Sequence, residues 1–341
     1  MKKEYSFIKD INRRYNKDID MKKLNRDIDW KINSASEHRE LANKYNVRMG
    51  RGFCPICGEK EGNIFVNVYG YDYIECNECG HIYLNTVIEE DNVKELYSGN
   101  GNKNLQHMVY LNEELFNKRV EQIAKPKVQW VLDKTKKHGL WIDIGCGTGE
   151  ILFSAKEMGY GIRGIDSDEM EVEFAISKKL NVICDYITDD NAKEYVSDGN
   201  IISLFNILEH LKNPKKLIEN ISNNIKKGTY VVIEVPRHPS ISSLNNMLFN
   251  EFACRHIYPP DHMHIFTEES IEKMVKEVNL EPISIWNFGQ DAYDIIITSL
   301  ASKNINASKF TDKILESVPI LQKSIDESGL SDTMIIICKK S

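Results

Sequence analysis

The chain has 341 residues, 41% of them hydrophobic and 28% charged, a composition that is typical of a folded globular protein and excludes an extensively disordered one. No apolar run reaches the roughly 18 residues that a membrane span needs, and the N-terminal lysines are not followed by the apolar stretch of a secretory signal. These features predict a cytoplasmic protein whose thiols stay reduced. The net charge of −7 disfavours a polyanionic partner such as nucleic acid.

The first 52 residues differ from the rest in charge. They hold 14 Lys and Arg against 8 Asp and Glu, whereas the remainder holds 30 against 43. Scattered apolar residues between polar ones favour one or two weakly amphipathic helices, so we predict a helical, basic N-terminal segment over residues 1–52. Its charge is typical of a solvated helical face, and contact with a phosphate-bearing partner is the alternative.

Two CxxC pairs, separated by 18 residues and each followed by glycine, mark the next region. They are Cys54, Cys57, Cys76 and Cys79. Two such knuckles direct four thiolates at one centre, as in a tetrahedral structural zinc site; disulfides are disfavoured in the cytoplasm, and a redox CxxC normally occurs singly. Because four thiolates complete the coordination, the neighbouring His81 is not expected to be a ligand. We predict a zinc ribbon over residues 53–98 whose metal supplies folding energy and no catalysis.

From residue 99 onward, short apolar runs alternate with amphipathic helical stretches, a pattern that predicts a doubly wound α/β domain. The expected strands cover residues 140–145, 161–167, 181–184, 200–205, 229–235, 282–288 and 333–340. We therefore predict a Rossmann-like, seven-stranded sheet over residues 99–341.

A glycine-rich string lies between the first of these strands and the helix after it, which is the position of a nucleotide-binding loop. Gly145, Gly147 and Gly149 form GxGxG, and glycine is needed where backbone turns tightly against a ligand. Asp143 lies in the same strand, and Asp166 closes the next strand 21 residues after Gly145. A carboxylate there can accept both hydroxyls of a ribose. The glycine spacing disfavours NAD and FAD, and the string alone would also fit a plain strand-to-helix turn.

Three strings carry a family resemblance that covers roughly residues 110–340. Residues 143–149 (DIGCGTG) resemble the S-adenosylmethionine (SAM) binding motif of class I SAM-dependent methyltransferases, and residues 164–166 (GID) resemble their acidic ribose-binding motif. Residues 205–214 (FNILEHLKNP) are similar to the fourth-strand motif of the UbiG-like and glycan-modifying branch. The resemblance implies that Asp143 faces the methionyl amino group, that Asp166 holds the ribose, and that Asp185 or Asp189 approaches the adenine. The cofactor-binding residues that it implies are Asp143, Gly145, Cys146, Gly147, Gly149, Asp166, Ser167, Asp185 and Asn206.

Methyl transfer needs an aligned nucleophile and, for a hydroxyl acceptor, removal of its proton. In a doubly wound sheet the site lies beyond the carboxyl ends of the strands, where the loops 206–211 and 236–264 are expected. Histidine is the natural general base near neutral pH. The candidates, in order, are His262, His210 and His264, with Asp261 as an orienting partner and Tyr258 as a positioning hydroxyl. A structural role for His210 or His264 is the alternative, so no single base is chosen.

The patterns and the family resemblance together imply a SAM-dependent methyltransferase that O-methylates a sugar nucleotide, or another glycan or secondary-metabolite intermediate, with a histidine base. The cysteine module resembles that of sugar methyltransferases, in which it helps to shape the substrate side. The first alternative is a sugar C-methyltransferase, although these usually carry a further C-terminal domain. The others are an RNA methyltransferase that grips nucleic acid through its ribbon and basic residues, and a non-catalytic SAM-binding protein. The basic residues in question are Arg13, Arg14, Lys22 and Lys23.

Overall fold

A computed structural model describes residues 8, 11–17, 27–45, 50–86, 111–188, 191–305 and 308–341 of the chain. The strands are β1 (Asn12–Tyr15), β2 (Gly62–Val68), β3 (Tyr71–Cys76), β4 (Ile82–Leu84), β5 (Leu140–Ile144), β6 (Gly161–Asp166), β7 (Val182–Cys184), β8 (Ile201–Phe205), β9 (Tyr230–Pro236), β10 (His264–Ile265), β11 (Leu280–Phe288) and β12 (Thr333–Lys340). The helices are α1 (Ile28–Lys44), α2 (Glu113–Arg119), α3 (Lys125–Thr135), α4 (Glu150–Glu157), α5 (Glu169–Ser177), α6 (Ala192–Val196), α7 (Pro214–Asn224), α8 (Ile241–Leu248), α9 (Glu268–Lys276), α10 (Asp291–Ser302), α11 (Lys309–Leu315) and α12 (Val318–Glu327). A π-helical turn over Val120–Ala124 joins α2 to α3.

The main sheet has eight strands in the order β1–β11–β12–β9–β8–β5–β6–β7. The five strands from β9 to β7 in this order are parallel, and β12 runs antiparallel to both of its neighbours. Alternate residues of β5 pack into two separate cores, with Trp141 on one face and Ile142 and Ile144 on the other. The strand order reverses at β5, and ligands of doubly wound sheets bind at such a reversal. None of the helices in the described ranges is long and apolar enough to cross a membrane.

The eighth strand corrects the predicted count of seven. All seven predicted strands are present, but β1 adds an edge strand that pairs in parallel with β11, from Asn12 opposite Ser284 to Tyr15 opposite Asn287. This stretch lies in the segment predicted to be helical, whereas α1 is the helix that the structure describes there. The stretch Asn-Arg-Arg-Tyr does not alternate apolar and polar residues, and the partner strand lies near the other end of the chain.

Side-chain contacts hold β1 against the body of the protein. The guanidinium of Arg13 donates hydrogen bonds to both carboxylate oxygens of Glu268, at 2.9 and 2.6 Å, and Glu268 is buried. The guanidinium of Arg14 lies 3.8 Å from the centre of the Trp286 ring. Both basic side chains therefore make contacts within the chain, although Arg13 is only partly buried and Arg14 is exposed.

The cysteine-bearing module forms a second, four-stranded sheet in the order β10–β4–β3–β2. Strands β2, β3 and β4 come from the module itself, but β10 belongs to the region that follows β9. It pairs antiparallel with β4, so that His264 lies opposite Tyr83 and Ile265 opposite Ile82. The larger domain thus completes the sheet of the smaller module.

Candidate active site

The loop between β5 and α4 has a backbone that only glycine adopts easily. The φ angle is 67° at Gly145, 52° at Gly147 and 88° at Gly149. A Cβ atom on Gly145 would lie 2.0 Å from Cδ1 of Ile207, and one on Gly147 would lie 3.1 Å from Oε2 of Glu171. The positive φ therefore strains any side chain at these positions, and a side chain at Gly145 would also have to displace Ile207.

Asp166 fixes this loop at the end of β6. Its carboxylate accepts hydrogen bonds from the backbone N–H groups of Gly147 at 2.7 Å and of Asp168 at 2.9 Å. Asp168 in turn caps α5 by accepting from the backbone N–H groups of Met170 and Glu171. A carboxylate thus stands beside the glycine loop at the place where the sequence predicts the ribose-binding residue.

A cavity of about 360 Å³ opens at the carboxyl ends of β5, β6 and β8. The predicted residues that line it are Gly145, Gly147, Asp166, Ser167, Asp185, Asn206, His210, Tyr258 and Asp261. The structure therefore brings most of the predicted cofactor and acceptor residues into one space. The predicted residues that are not in its lining are Asp143, Cys146, Gly149, His262 and His264.

Asp143 is buried beneath the loop rather than in the cavity wall. Its carboxylate accepts a hydrogen bond from the Ser203 hydroxyl at 2.5 Å, and that hydroxyl accepts one from the Trp141 indole at 2.7 Å. Burial raises the pKa of Asp143 to about 8, although the Ser203 hydrogen bond opposes the rise. Cys146 is likewise buried behind the loop, 2.7 Å from where a Cβ on Gly164 would lie.

Glu171, which lies in the first turn of α5, also lines the cavity. Burial, and next the charge of Asp166, raise its pKa to about 8. The carboxylate of nearby Glu150 is paired with Arg119, whose Nε lies 2.6 Å from it. This end of the cavity is acidic and suits a cationic ligand. The signal that could have identified Glu171 from the sequence is a charged residue in the first turn of the helix that follows Asp166.

Asp185 lies on the same side of the cavity, just past β7. Its carboxylate accepts hydrogen bonds from the Tyr186 backbone N–H at 2.8 Å and the Asn191 amide at 3.2 Å, and from the Tyr195 hydroxyl. Tyr186 also lines the cavity. The alternative adenine-side residue, Asp189, lies outside the described residues.

His210 and Asp261 meet at the opposite end of the cavity. Nδ1 of His210 lies 3.0 Å from the Asp261 carbonyl oxygen and 3.2 Å from its Oδ1. The ring of His262 packs edge-on against that of His210, with centroids 4.8 Å apart, and the ring of Tyr258 lies 4.1 Å from that of His262. Nδ1 of His262 is 2.8 Å from the carbonyl oxygen of His256, and burial lowers the pKa of His262 well below its ordinary value.

His264 connects the two sheets instead of facing the cavity. It is fully buried, with Nε2 2.8 Å from the Leu211 carbonyl oxygen and Nδ1 3.1 Å from Nε2 of His81. Burial lowers its pKa well below the ordinary value. These contacts match the structural role that was the alternative for this residue.

The four predicted metal-ligating cysteines converge. Sγ of Cys54 lies 3.7 Å from Sγ of Cys79, and Sγ of Cys57 lies 3.5 Å from Sγ of Cys76. All four sulfurs are within 4.8 Å of one another. The hydroxyl of Thr267, which caps α9, donates to the Cys79 carbonyl at 2.7 Å, so this cluster is tied to the larger domain.

Comparison with known proteins finds methyltransferases. Residues 116–285 match the model of a methyltransferase domain family. The chain is 32% identical over 167 residues to the ubiquinone biosynthesis O-methyltransferase of Glaesserella parasuis, covering 45% of this chain and 67% of that protein. It is 28% identical over 180 residues to the enzyme of the same name from Vibrio atlanticus, covering 49% and 75%. A solved SAM-dependent methyltransferase from Archaeoglobus fulgidus is 21% identical, with a TM-score of 0.45 over 68% of this chain and 99% of that chain.

A glycine loop at the switch point of a doubly wound sheet, next to an acid-lined cavity, defines a nucleotide-binding α/β enzyme. The chain belongs to the class I SAM-dependent methyltransferases. The matched region contains the glycine loop, Asp166, Glu171 and His210, whereas β1 and the cysteine module lie outside it.

Proposed function

We propose that this methyltransferase transfers the methyl group of SAM to a hydroxyl oxygen of a small acceptor. The observation that carries the proposal is the single cavity that has Asp166 and Glu171 at one end and His210 and Tyr258 at the other. Transfer to oxygen is supported by relatives that are named as O-methyltransferases.

The cofactor end of the cavity fits SAM in charge and in shape. SAM, when bound, supplies a methyl group that its sulfonium charge activates. We assign Asp166 to the ribose hydroxyls and Glu171 to the electrostatic attraction of the cation, while bare backbone at Gly145 and Gly147 permits close approach. Asp185 is assigned to the adenine side.

At the acceptor end we assign proton removal to His210. Among the three predicted histidines it is the one that lines the cavity. Because Nδ1 faces the carbonyl oxygen of Asp261, it must carry the proton, and Nε2 is left as the acceptor. The ring of His262 packs against that of His210, and the ring of Tyr258 packs against that of His262. This order differs from the predicted one, in which His262 ranks first.

A sugar nucleotide is the acceptor class that we propose. A second cavity of about 290 Å³ lies beyond the carboxyl ends of β1 and β11, at the same edge of the sheet as the first. Lys17, Lys323, Gln290 and Tyr293 are among its lining residues, as is Asp326. The Lys323 ammonium group next to amide and hydroxyl groups suits a phosphate that is joined to a sugar, whereas burial lowers the pKa of Lys17 well below its ordinary value.

RNA is a weaker candidate. Arg13 is paired with Glu268, and Arg14 packs on a tryptophan ring, so both are already engaged. Lys22 and Lys23 lie outside the described residues.

We also propose that the four cysteines hold a structural zinc ion. Their convergence supports this, and so does the buried guanidinium of Arg51, which interacts with Cys54 and would offset the charge of four thiolates. The proposal presumes the reducing, cytoplasmic compartment that the sequence predicts. Cys54→Ser should remove the zinc measured by mass spectrometry and lower the melting temperature, whereas Cys184→Ser, at an exposed cysteine, should change neither. Unchanged zinc content in Cys54→Ser would exclude this site.

A turnover assay tests the proposed reaction. Purified full-length protein is incubated with SAM and a panel of nucleotide sugars, S-adenosylhomocysteine is quantified, and the methyl position is determined by NMR. We expect an O-methyl product, and His210→Asn should lower kcat about 10²-fold or more with SAM affinity unchanged. His138→Asn, at an exposed histidine, is the control. A C-methyl product would overturn transfer to oxygen, and turnover only with acceptors that lack a nucleotide would overturn the acceptor class.

A further inference from the structure

The second cavity, beyond the carboxyl ends of β1 and β11, is lined in part by the first turn of α12. Val318, Pro319 and Ile320 belong to its lining, and the N-cap residue Ser317 provides no side-chain cap. The helix has ten residues, and the N-terminal end of a helix carries a partial positive charge that attracts anions. The side chains around this helix end decide whether the cavity is built for an anion.

Lys17 places a buried amine in the wall of the same cavity. Its relative exposure is 9%, and its Nζ lies 4.7 Å from the centre of the Phe288 ring. Within the described residues, no hydrogen bond or salt bridge joins this amine to another group. Buried polar groups nearly always have a hydrogen-bond partner, and burying one without a partner is costly. A ligand in the cavity would supply the partner that the protein atoms do not.

The charged groups around Lys17 leave this amine in need of a negative partner. Burial, and next the charge of Lys127, hold the pKa of Lys17 well below its ordinary value. The carboxylate of Glu234 opposes this effect, but Glu234 is already paired with Lys127. The other cations that act on the amine are Arg119 and Arg14. An anion bound against Lys17 would offset these cations and favour the ammonium form.

The remaining polar groups of the second cavity are compatible with an anion. The exposed side chain of Lys323 lines it, with its ammonium group 3.9 Å from Glu327. Gln290 and Tyr293 offer an amide and a hydroxyl group. The acidic residue in the lining is Asp326, and burial raises its pKa to about 7. Because this carboxyl group takes up a proton near neutral pH, it need not repel a bound anion.

We propose that Lys17, Lys323 and the N-terminal end of α12 form a phosphate-binding site in the second cavity. A phosphate group accepts hydrogen bonds from the amine of Lys17 in either protonation state, and these bonds strengthen when the amine is charged. The site itself is independent of methyl transfer. Its assignment to a phosphate of the methyl acceptor rests on the proposed function, and it makes Lys17 a residue that selects phosphate-bearing acceptors.

Calorimetric titration of the full-length protein with inorganic phosphate tests the site. We expect one phosphate per chain, bound about tenfold or more weakly by Lys17→Met and Lys323→Met. Lys227→Met, at an exposed lysine before β9, is the matched control and should bind phosphate as the wild type does. Without phosphate, Lys17→Met should keep the melting temperature and SAM affinity of the wild type, because its amine has no partner to lose. Phosphate should raise the melting temperature of the wild type more than that of this variant.

Two results would overturn the site: no binding of millimolar phosphate by folded wild-type protein, or full phosphate affinity in a Lys17→Met variant that binds SAM. Displacement of phosphate by nucleotide sugars distinguishes the source of the phosphate group. Displacement that Lys17→Met weakens would support the acceptor assignment, whereas phosphate binding that no nucleotide sugar displaces would overturn that assignment and leave a site for free phosphate. Failure to methylate any acceptor would not affect the phosphate titration, so the two proposals fail separately.

Discussion

The hydroxyl of Tyr73 donates a hydrogen bond to the backbone carbonyl of His262 at 2.7 Å. Tyr73 lies in β3 of the cysteine-bearing module and is fully buried. A second link runs from the Leu84 backbone N–H to the Met263 carbonyl, at 2.8 Å. The small module therefore supports, from behind, the loop that forms the acceptor end of the cavity. This contact is a physical route by which the module could shape the substrate side, as its resemblance implies.

Removal of this hydroxyl should affect catalysis more than cofactor binding. Tyr73→Phe removes the hydrogen bond to this partly buried carbonyl, which costs about 1 kcal/mol of stability, and small displacements of catalytic groups are costly. We expect kcat to fall about tenfold with SAM affinity unchanged. Tyr71→Phe is the matched control, because that hydroxyl bonds the carbonyls of Ala42 and Tyr45 instead. Equal losses of kcat in the two variants would argue against a specific role for Tyr73.

The glycine loop can be tested with two substitutions of equal backbone strain. Gly145→Ala and Gly159→Ala both place a side chain at positive φ, which costs roughly 1–2 kcal/mol, but only the first also meets a neighbour, Cδ1 of Ile207 at 2.0 Å. We expect Gly145→Ala to weaken SAM binding at least about tenfold, as measured by calorimetry, while Gly159→Ala retains it. Full affinity in Gly145→Ala would exclude the loop from the cofactor site.

The raised pKa of Glu171, about 8, predicts a pH-dependent preference for the charged cofactor. A bound sulfonium favours the ionised carboxylate, so the affinity for SAM relative to that for S-adenosylhomocysteine should rise between about pH 6 and pH 9. Glu171→Gln should flatten this ratio, as measured by calorimetry for both ligands. A ratio with the same pH profile in the variant would assign the effect to another group.

The raised pKa of Glu171 also predicts that the free energy of unfolding of the ligand-free protein falls as the pH rises. Because the pKa of Glu171 is raised in the folded state, its contribution is greatest below the unfolded-state pKa of about 4 and is lost as the pH rises to about 8. Urea unfolding should therefore show a steeper loss of stability over this range in the wild type than in Glu171→Gln.

The anchoring of β1 can be tested through its two arginines. Arg13→Met leaves the buried carboxylate of Glu268 without its bidentate partner, and we expect a loss of about 2 kcal/mol, less than for a fully buried pair because Arg13 is partly exposed. Arg14→Met removes a cation–π contact and should cost about 0.5–1 kcal/mol. Urea unfolding of both variants makes the comparison. Equal stability losses would show that the Glu268 pair does not hold the strand.

Several features of this protein could be predicted because each depends on a few consecutive residues. Positive φ at Gly145 and Gly147 is a local backbone requirement, and Asp166 is located by the end of its own strand. The spacing within each CxxC knuckle is likewise local, so the convergence of the four sulfurs follows once the two knuckles face each other. The seven predicted strands agree with the structure for the same reason.

Only the tertiary structure decides what surrounds a side chain. Asp143 has the position that the motif implies, yet its carboxylate points to Ser203 rather than lining the cavity. The environments of Glu171 and Lys17, and the pairing of β1 with β11, depend on residues far away in the chain. Backbone conformation is encoded by near neighbours, whereas burial and electrostatic partners are set by long-range packing, which the order of residues does not reveal directly.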